Sequence, residues 1–182
     1  MLNIPNLLTL SRIILIPVLV VAFYWPGVKT NVLCVVIFTT ASLTDLFDGY
    51  LARKLNQTSD FGAFLDPVAD KLMVATALVI LVESDPTPWL AIPAAIIIGR
   101  EITISALREW MANLGKKATV AVSYIGKIKT TAQMSSIGFL LYSDPFMGYS
   151  TSDVGYVLLY VAAGLTLWSM FDYMKAAWKS FS

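Results

Sequence analysis

The chain has 182 residues, of which 57% are hydrophobic and only 14% are charged. Its mean hydropathy of +0.71 is too high for an ordinary water-soluble domain and indicates an integral membrane protein. The net charge of +1 gives no reason to expect nucleic-acid binding. With no histidine and one cysteine, the composition excludes histidine-based catalysis, histidine-ligated zinc and an internal disulfide. Any metal would need oxygen ligands, which suit Mg²⁺ or Mn²⁺.

Apolar segments of helix length recur along the whole chain. Taken in order, they cover residues 5–25, 30–50, 63–83, 89–110, 121–142 and 154–175. Each can cross a bilayer core of about 30 Å at about 1.5 Å per residue, and helices are the open-chain structure that lipid allows. The sequence therefore predicts an all-α, polytopic membrane protein: one domain over residues 1–182 with six transmembrane helices. Pro67 is expected in the first turn of the third helix, where its missing N–H is not needed.

Basic residues mark one side of the predicted membrane. If the N-terminus lies in the cytoplasm, Lys29 is the single outer residue among the 13 Lys and Arg residues. The outer connections carry acids instead: Glu83, Asp85, Asp144 and Asp153. Because cytoplasmic loops are enriched in Lys and Arg, this pattern predicts that both termini are cytoplasmic.

Four aspartates lie at the predicted cytoplasmic ends of the second and third helices. Asp45 and Asp48 are spaced i, i+3, and Asp66 and Asp70 are spaced i, i+4, so each pair shares one helix face. Carboxylates that face one another at low dielectric repel strongly, and divalent cations compensate for this most directly.

A purely structural alternative pairs these acids with nearby basic side chains. Arg53 and Lys71 are the candidates, and each would satisfy one aspartate. Two acids would then remain unpaired within the membrane, which is expensive. The sequence therefore favours a metal site over simple ion pairing.

The acids belong to a longer pattern, D-x2-D-G-x2-A-R-x8-G-x3-D-x3-D, which is the signature of the CDP-alcohol phosphotransferases. The chain matches all of its fixed positions: Asp45, Asp48, Gly49, Ala52, Arg53, Gly62, Asp66 and Asp70. The stretches IPNLLTLSRIILIP, GREITISALREW and GKIKTTAQM further resemble the bacterial members of this family that use glycerol 3-phosphate. Together these stretches cover most of the chain.

The resemblance implies both a reaction and a site. Members of the family move a phosphatidyl or similar group from a CDP-linked donor to an alcohol and release CMP. The resemblance implies a homodimer in the bacterial inner membrane, with the six-helix fold of the family and an active site open to the cytoplasm. By this resemblance the four aspartates hold Mg²⁺ or Mn²⁺, two ions in all, and Asp70 is the general base.

The resemblance also implies contacts for the CDP part of the donor. These would come from Asn6, Thr9, Gly49, Ala52, Arg53 and Gly62. For Asn6 and Thr9 an alternative stays open, because they also suit capping and interface anchoring of the first helix.

Basic residues on the fourth and fifth helices point to the acceptor. They are Arg100, Arg108, Lys127 and Lys129. Intramembrane cations usually mark a functional site, and a cluster of them suits an acceptor that carries a phosphate, such as glycerol 3-phosphate. Two alternatives stay open: Arg108 pairs with Glu101 or Glu109, and the two lysines contact lipid headgroups.

The leading hypothesis is therefore an enzyme that transfers a phosphatidyl group from CDP-diacylglycerol to glycerol 3-phosphate. Its nearest rival uses another acceptor, such as inositol phosphate or phosphatidylglycerol. A rival of another class is a divalent-cation transporter, but the aspartates lie at one membrane face and an ion path should continue across the bilayer. A scaffold with a vestigial site is disfavoured because the motif is complete.

Overall fold

Six α-helices account for nearly all of the described structure, which is a computed structural model. It describes residues 4–25, 30–54, 59–115 and 124–179, and it gives the backbone alone for 46–53 and a few single positions. The helices are α1 (Ile4–Tyr24), α2 (Thr30–Lys54), α3 (Asp60–Ser84), α4 (Pro88–Asn113), α5 (Tyr124–Tyr142) and α6 (Thr151–Lys179). The predicted all-α fold with six helices is confirmed.

The start of α3 differs from the prediction, and the difference changes the place of Pro67. Ser59 is the N-cap of α3, and its Oγ accepts a hydrogen bond from the Gly62 backbone N–H at 3.0 Å. Because a serine cap satisfies one of the free N–H groups at a helix start, α3 begins about one turn earlier than the apolar pattern indicates. Pro67 therefore lies inside the helix, and the expectation that it occupies the first turn is wrong.

The helices differ in how well they suit lipid. Within the described residues, three are long and apolar enough to cross a membrane: Asn6–Tyr24, Pro88–Asn113 and Thr151–Lys175. A shorter apolar stretch, Asn31–Asp45, lies in α2. Charged side chains near one end of α2 and α3 lower the hydropathy of those helices. The chain is thus a membrane protein, and six complete spans stay a prediction.

The helices pack in neighbouring pairs around an apolar core. The most extensive contacts join α5 to α6 and α1 to α2, while α3 contacts α1, α4 and α5. The core includes Leu19, Phe38, Leu78, Ile97 and Leu159, all fully or almost fully buried. This arrangement places the polar ends of α1, α2 and α3 side by side.

A glycine allows the close packing of α5 and α6. Ser136 Oγ donates a hydrogen bond to the Gly155 carbonyl at 2.7 Å, so the two backbones approach each other closely. A Cβ atom on Gly155 would lie 2.7 Å from Leu140 Cγ. Small residues commonly permit such approaches between membrane helices.

Gly155→Ala should destabilise the protein, because the added methyl group forces Leu140 and the α5 backbone to move. Overpacking of this kind costs about 1–3 kcal/mol. Thermal unfolding in detergent can be followed through Cys34, which is buried and becomes reactive toward a thiol-specific dye on unfolding. We expect a lower midpoint for Gly155→Ala than for the wild type.

Gly164→Ala is the matched control on the same helix, because a Cβ there would meet no described atom within 4 Å. Replacing an exposed helical glycine should stabilise the helix by up to about 1 kcal/mol. Equal unfolding midpoints for the two variants would contradict the close-packing interpretation.

Candidate active site

Arg12 joins two of the predicted metal-binding aspartates. Its Nη1 lies 2.8 Å from Asp45 Oδ1 on α2 and 2.6 Å from Asp70 Oδ1 on α3. The Arg12 side chain is only 1% exposed, whereas those of Asp45 and Asp70 are 36% and 44% exposed. One buried cation on α1 thus draws carboxylates of two other helices together while leaving them partly open to a ligand.

The third described aspartate is held by the same helix. Thr9 Oγ1 donates a hydrogen bond to Asp66 Oδ1 at 2.5 Å. Thr9 and Arg12 are spaced i, i+3 and therefore lie on one face of α1. This face of α1 therefore orients the carboxylates of Asp66 and Asp70, which lie on successive turns of α3.

Asn6 continues this face of α1 toward the start of α3. Ser59 Oγ donates to Asn6 Oδ1 at 3.0 Å, and Asn6 is almost completely buried. A Cβ atom on Gly62 would lie 2.5 Å from Asn6 Oδ1, so only glycine fits there. The structure gives Asn6 and Thr9 protein partners on α3, and their contact with a nucleotide stays a prediction.

Part of the predicted site lies outside the described side chains. This part comprises Asp48, Gly49, Ala52 and Arg53, of which the structure gives the helical backbone alone. Among the described residues no group of three or more acids lies close enough to hold one metal ion. The described oxygen donors are nevertheless of the type that a hard divalent cation prefers, and they come from facing helices.

The acceptor residues predicted on α4 and α5 are partly brought together. Glu101 Oε1 accepts hydrogen bonds from Arg100 Nη1 and from Lys129 Nζ, each at 2.9 Å. Arg100 Nη2 also donates to Ser169 Oγ on α6 at 3.1 Å. Two of the four predicted cations thus meet on one carboxylate at the junction of α4, α5 and α6. We call Arg100, Lys129 and Glu101 the basic cluster.

The other two predicted cations behave differently. The Arg108 guanidinium lies 5.2 Å from the ring centre of the buried Tyr173, a cation–π distance. Lys127 is exposed and lines a groove between α5 and α6. The sequence allows two acidic partners for Arg108, Glu101 and Glu109. Glu101 instead accepts hydrogen bonds from Arg100 and Lys129.

The two charged clusters lie at a similar depth in the helix bundle. Arg12, Asp70, Glu101 and Lys129 are each about 13 residues, or roughly 20 Å of helix rise, from the ends of their helices at Tyr24, Ser84, Pro88 and Tyr142. The aspartate-bearing α3 contacts both α4 and α5. A ligand bound by the basic cluster would therefore lie at the level of the aspartates.

Sequence reasoning did not assign Arg12 and Glu101 to the site. For the aspartates it considered Arg53 and Lys71 as cation partners, whereas Arg12 is the cation that pairs with Asp45 and Asp70. A usable signal existed, because Arg12 interrupts an otherwise apolar helix and follows Asn6 and Thr9 at intervals of three. A charge in that position requires a partner.

Comparisons with known proteins identify the family of the chain. The model of the CDP-alcohol phosphatidyltransferase family matches residues 2–168. A protein of Yersinia enterocolitica named CDP-diacylglycerol–glycerol-3-phosphate 3-phosphatidyltransferase is 56% identical over 178 residues, covering 98% of this chain and 96% of its own length. Relatives of the same name are 56% identical in Pectobacterium atrosepticum, covering 96% and 94%, and 55% identical in Sodalis glossinidius, covering 97% and 95%.

The fold and the site define a helical membrane enzyme whose carboxylates meet at the polar ends of neighbouring helices. The match over most of the length makes the class specific: the chain belongs to the CDP-alcohol phosphatidyltransferase family. The resemblance inferred from the aspartate motif is thereby confirmed.

Arg12→Gln should destabilise the protein, because it leaves Asp45 and Asp70 facing each other without their shared cation. Removing one partner of a buried ion pair costs about 3–5 kcal/mol, and we expect the lower end because both carboxylates are partly exposed. Arg12→Lys, which keeps the charge, should lose less. The unfolding midpoint reported by Cys34 labelling measures both effects.

Glu83→Gln is the control, since it changes an exposed hydrogen bond of 3.1 Å from Tyr24 at the opposite end of the bundle. Exposed pairs contribute little to stability, so its midpoint should match the wild type. Arg12→Gln with a wild-type midpoint would show that the bridge does not hold the three helices together.

Proposed function

We propose that this protein transfers the phosphatidyl group of CDP-diacylglycerol to glycerol 3-phosphate, giving phosphatidylglycerophosphate and CMP. The observation that carries the proposal is the meeting of Asp45 and Asp70 at Arg12, two residues of the family signature brought together from different helices. The names of relatives that match nearly the whole chain support the choice of donor and acceptor.

The aspartates are proposed to hold Mg²⁺ or Mn²⁺, with two ions bound. Asp45, Asp48, Asp66 and Asp70 would supply oxygen ligands, and the two pairs would approach the donor from α2 and α3. Bound cations would neutralise the diphosphate of the donor and polarise its phosphorus–oxygen bonds. The described donor set fits such ions, because it consists of carboxylates and hydroxyls and contains no nitrogen or sulfur ligand.

Asp70 is proposed to orient the acceptor hydroxyl and to take its proton. As the hydroxyl oxygen forms a bond to the phosphatidyl phosphorus, the bond from that phosphorus to the CMP oxygen breaks, and CMP leaves with the electron pair. Transfer of this kind depends mainly on positioning and charge neutralisation. Arg12 serves this step by holding the Asp70 carboxylate in place at 2.6 Å.

An apolar groove beside the site suits an acyl chain of the donor. The groove has a volume of ≈ 460 Å³ and lies between α2 and α5. Its walls include Val35, Phe38, Ser42, Phe139 and Tyr142. Ser42 is about one helical turn from Asp45, so a chain in this groove would begin beside the aspartates and continue into the membrane.

Lys129 and Arg100 are proposed to bind the phosphate of the acceptor, with Arg108 and Lys127 nearby. Both side chains are largely buried and meet at Glu101. The proposal also includes a homodimer in the bacterial inner membrane, which the resemblance to the family implies. The distribution of basic residues supports a site that faces the cytoplasm.

The test is CMP release by the purified protein supplied with CDP-diacylglycerol and Mg²⁺. Release should require both glycerol 3-phosphate and the metal, and a chelator should abolish it. Release that ignores glycerol 3-phosphate but responds to inositol phosphate or phosphatidylglycerol would contradict the proposed acceptor. Metal-dependent cation flux into proteoliposomes without any CMP release would contradict the reaction class.

Asp70→Asn should lower the rate of CMP release by at least about 100-fold, because it removes a proton acceptor from the site. Asp153→Asn is the matched control, since this exposed aspartate begins α6 at the opposite end of the bundle. Its rate should equal that of the wild type. Comparable losses in the two variants would point to general damage by the substitution and not to a role in the reaction.

A further inference from the structure

We propose that Glu101 is a positioning residue of the acceptor site: it orients Lys129 and Arg100 and sets the charge that the site offers to a phosphate monoester. The proposal rests on the function proposed above, because it assigns the organisation of the same acceptor site. Glu101 would not contact the reacting atoms.

The geometry makes Glu101 the centre of the basic cluster. One oxygen, Oε1, accepts from both Arg100 and Lys129 at 2.9 Å. The side chains of Lys129, Arg100 and Glu101 are 8%, 13% and 24% exposed. Hydrogen bonds between ionised groups are strong at such sites, and a shared acceptor atom fixes the two cations relative to each other.

The second attachment of Arg100 limits its freedom further. Its Nη2 donates to Ser169 on α6, while Nη1 remains on Glu101. Ser169 Oγ in turn donates to the Thr166 carbonyl at 3.0 Å. Both terminal nitrogens of the guanidinium are thus held, one on α4 and one on α6, which limits the orientations that the side chain can adopt.

The charge of the cluster has the sign that attracts a phosphate monoester. Arg100 and Lys129 contribute two positive charges and Glu101 one negative charge, which leaves a net charge of +1 on the three bonded side chains. A phosphate monoester carries about −1.5 to −2 at neutral pH. Because the two adjacent cations would otherwise repel each other, Glu101 allows them to share one site while leaving a net positive charge that attracts the phosphate.

A buried polar atom one helical turn from Lys129 supports the binding of a polar ligand at the cluster. Gln133 lies four residues after Lys129 on the same face of α5 and is 5% exposed. Its Oε1 has no hydrogen-bond partner in the described part of the chain. Leaving such a group unsatisfied is costly, and a ligand hydroxyl could satisfy it. An acceptor with a phosphate and free hydroxyls supplies both kinds of group.

The first experiment compares Glu101→Gln with the wild type in steady-state kinetics. Removing the charge should raise the KM for glycerol 3-phosphate by about 10- to 100-fold, the loss expected when charge-assisted hydrogen bonds lose their geometry. The kcat and the KM for CDP-diacylglycerol should change less than about threefold. Glu101→Asp, which keeps the charge, should recover part of the affinity for the acceptor.

Glu83→Gln is the control, because Glu83 is exposed and lies at the opposite end of the bundle. It should leave both KM values unchanged. A merely structural role of Glu101 would lower the amount of folded enzyme, and with it kcat, without changing the ratio of the two KM values. Glu101→Gln with a wild-type KM for glycerol 3-phosphate would overturn the proposal.

A second measurement separates this proposal from the proposed reaction. Inorganic phosphate should raise the unfolding midpoint of the wild type, as a ligand of the native state does, and should have a much smaller effect on Glu101→Gln. If that difference is found but glycerol 3-phosphate is not an acceptor, the proposed function fails and the role of Glu101 stands. If glycerol 3-phosphate is the acceptor and phosphate acts equally on both proteins, the role of Glu101 fails alone.

Discussion

The site depends on one buried cation, Arg12, which is bonded to a carboxylate on each of two other helices. A buried ion pair is weak evidence for stability, because desolvation offsets much of the attraction. The ion pairs of Arg12 matter more for the register of the helices than for stability. A slip of α1 along α2 or α3 would leave charges unpaired within the bundle. Thr9 and Asn6 extend the same face of α1 with bonds to α3 or its cap. The polar face of α1 therefore sets the height at which the aspartates meet.

The basic cluster on the other helices has the opposite arrangement of charges. At the aspartates one cation lies between two anions, and at Glu101 one anion lies between two cations. Both arrangements hold like charges near one another in a membrane protein, where unpaired charge is expensive. The first is suited to a site that would receive metal cations and a diphosphate, and the second to a site that would receive an anion. Their similar depth allows both halves of a transfer reaction to meet at one level.

Much of this could be predicted from the amino-acid pattern. The six helices follow from apolar length, and the reaction class follows from the family resemblance that eight motif positions on α2 and α3 carry. The start of α3 was misplaced, because the prediction followed apolar residues and overlooked the Ser59 cap. The sequence pattern does not assign Arg12 and Glu101 to the site, because it suggests partners only among residues that are near each charge in the chain. Their partners lie on other helices, with Asp70 58 residues from Arg12 and Lys129 28 residues from Glu101.

The sequence by itself determined that this protein is helical, lies in a membrane and carries the aspartates of its family, since hydropathy and local spacing depend only on nearby residues. Tertiary structure decided which charges meet. It paired Asp45 and Asp70 with Arg12, placed Lys129 and Arg100 on one oxygen of Glu101, and turned Arg108 toward Tyr173. The physical reason is that a buried charge takes the nearest opposite charge in space, and only the packing of the helices establishes which one that is.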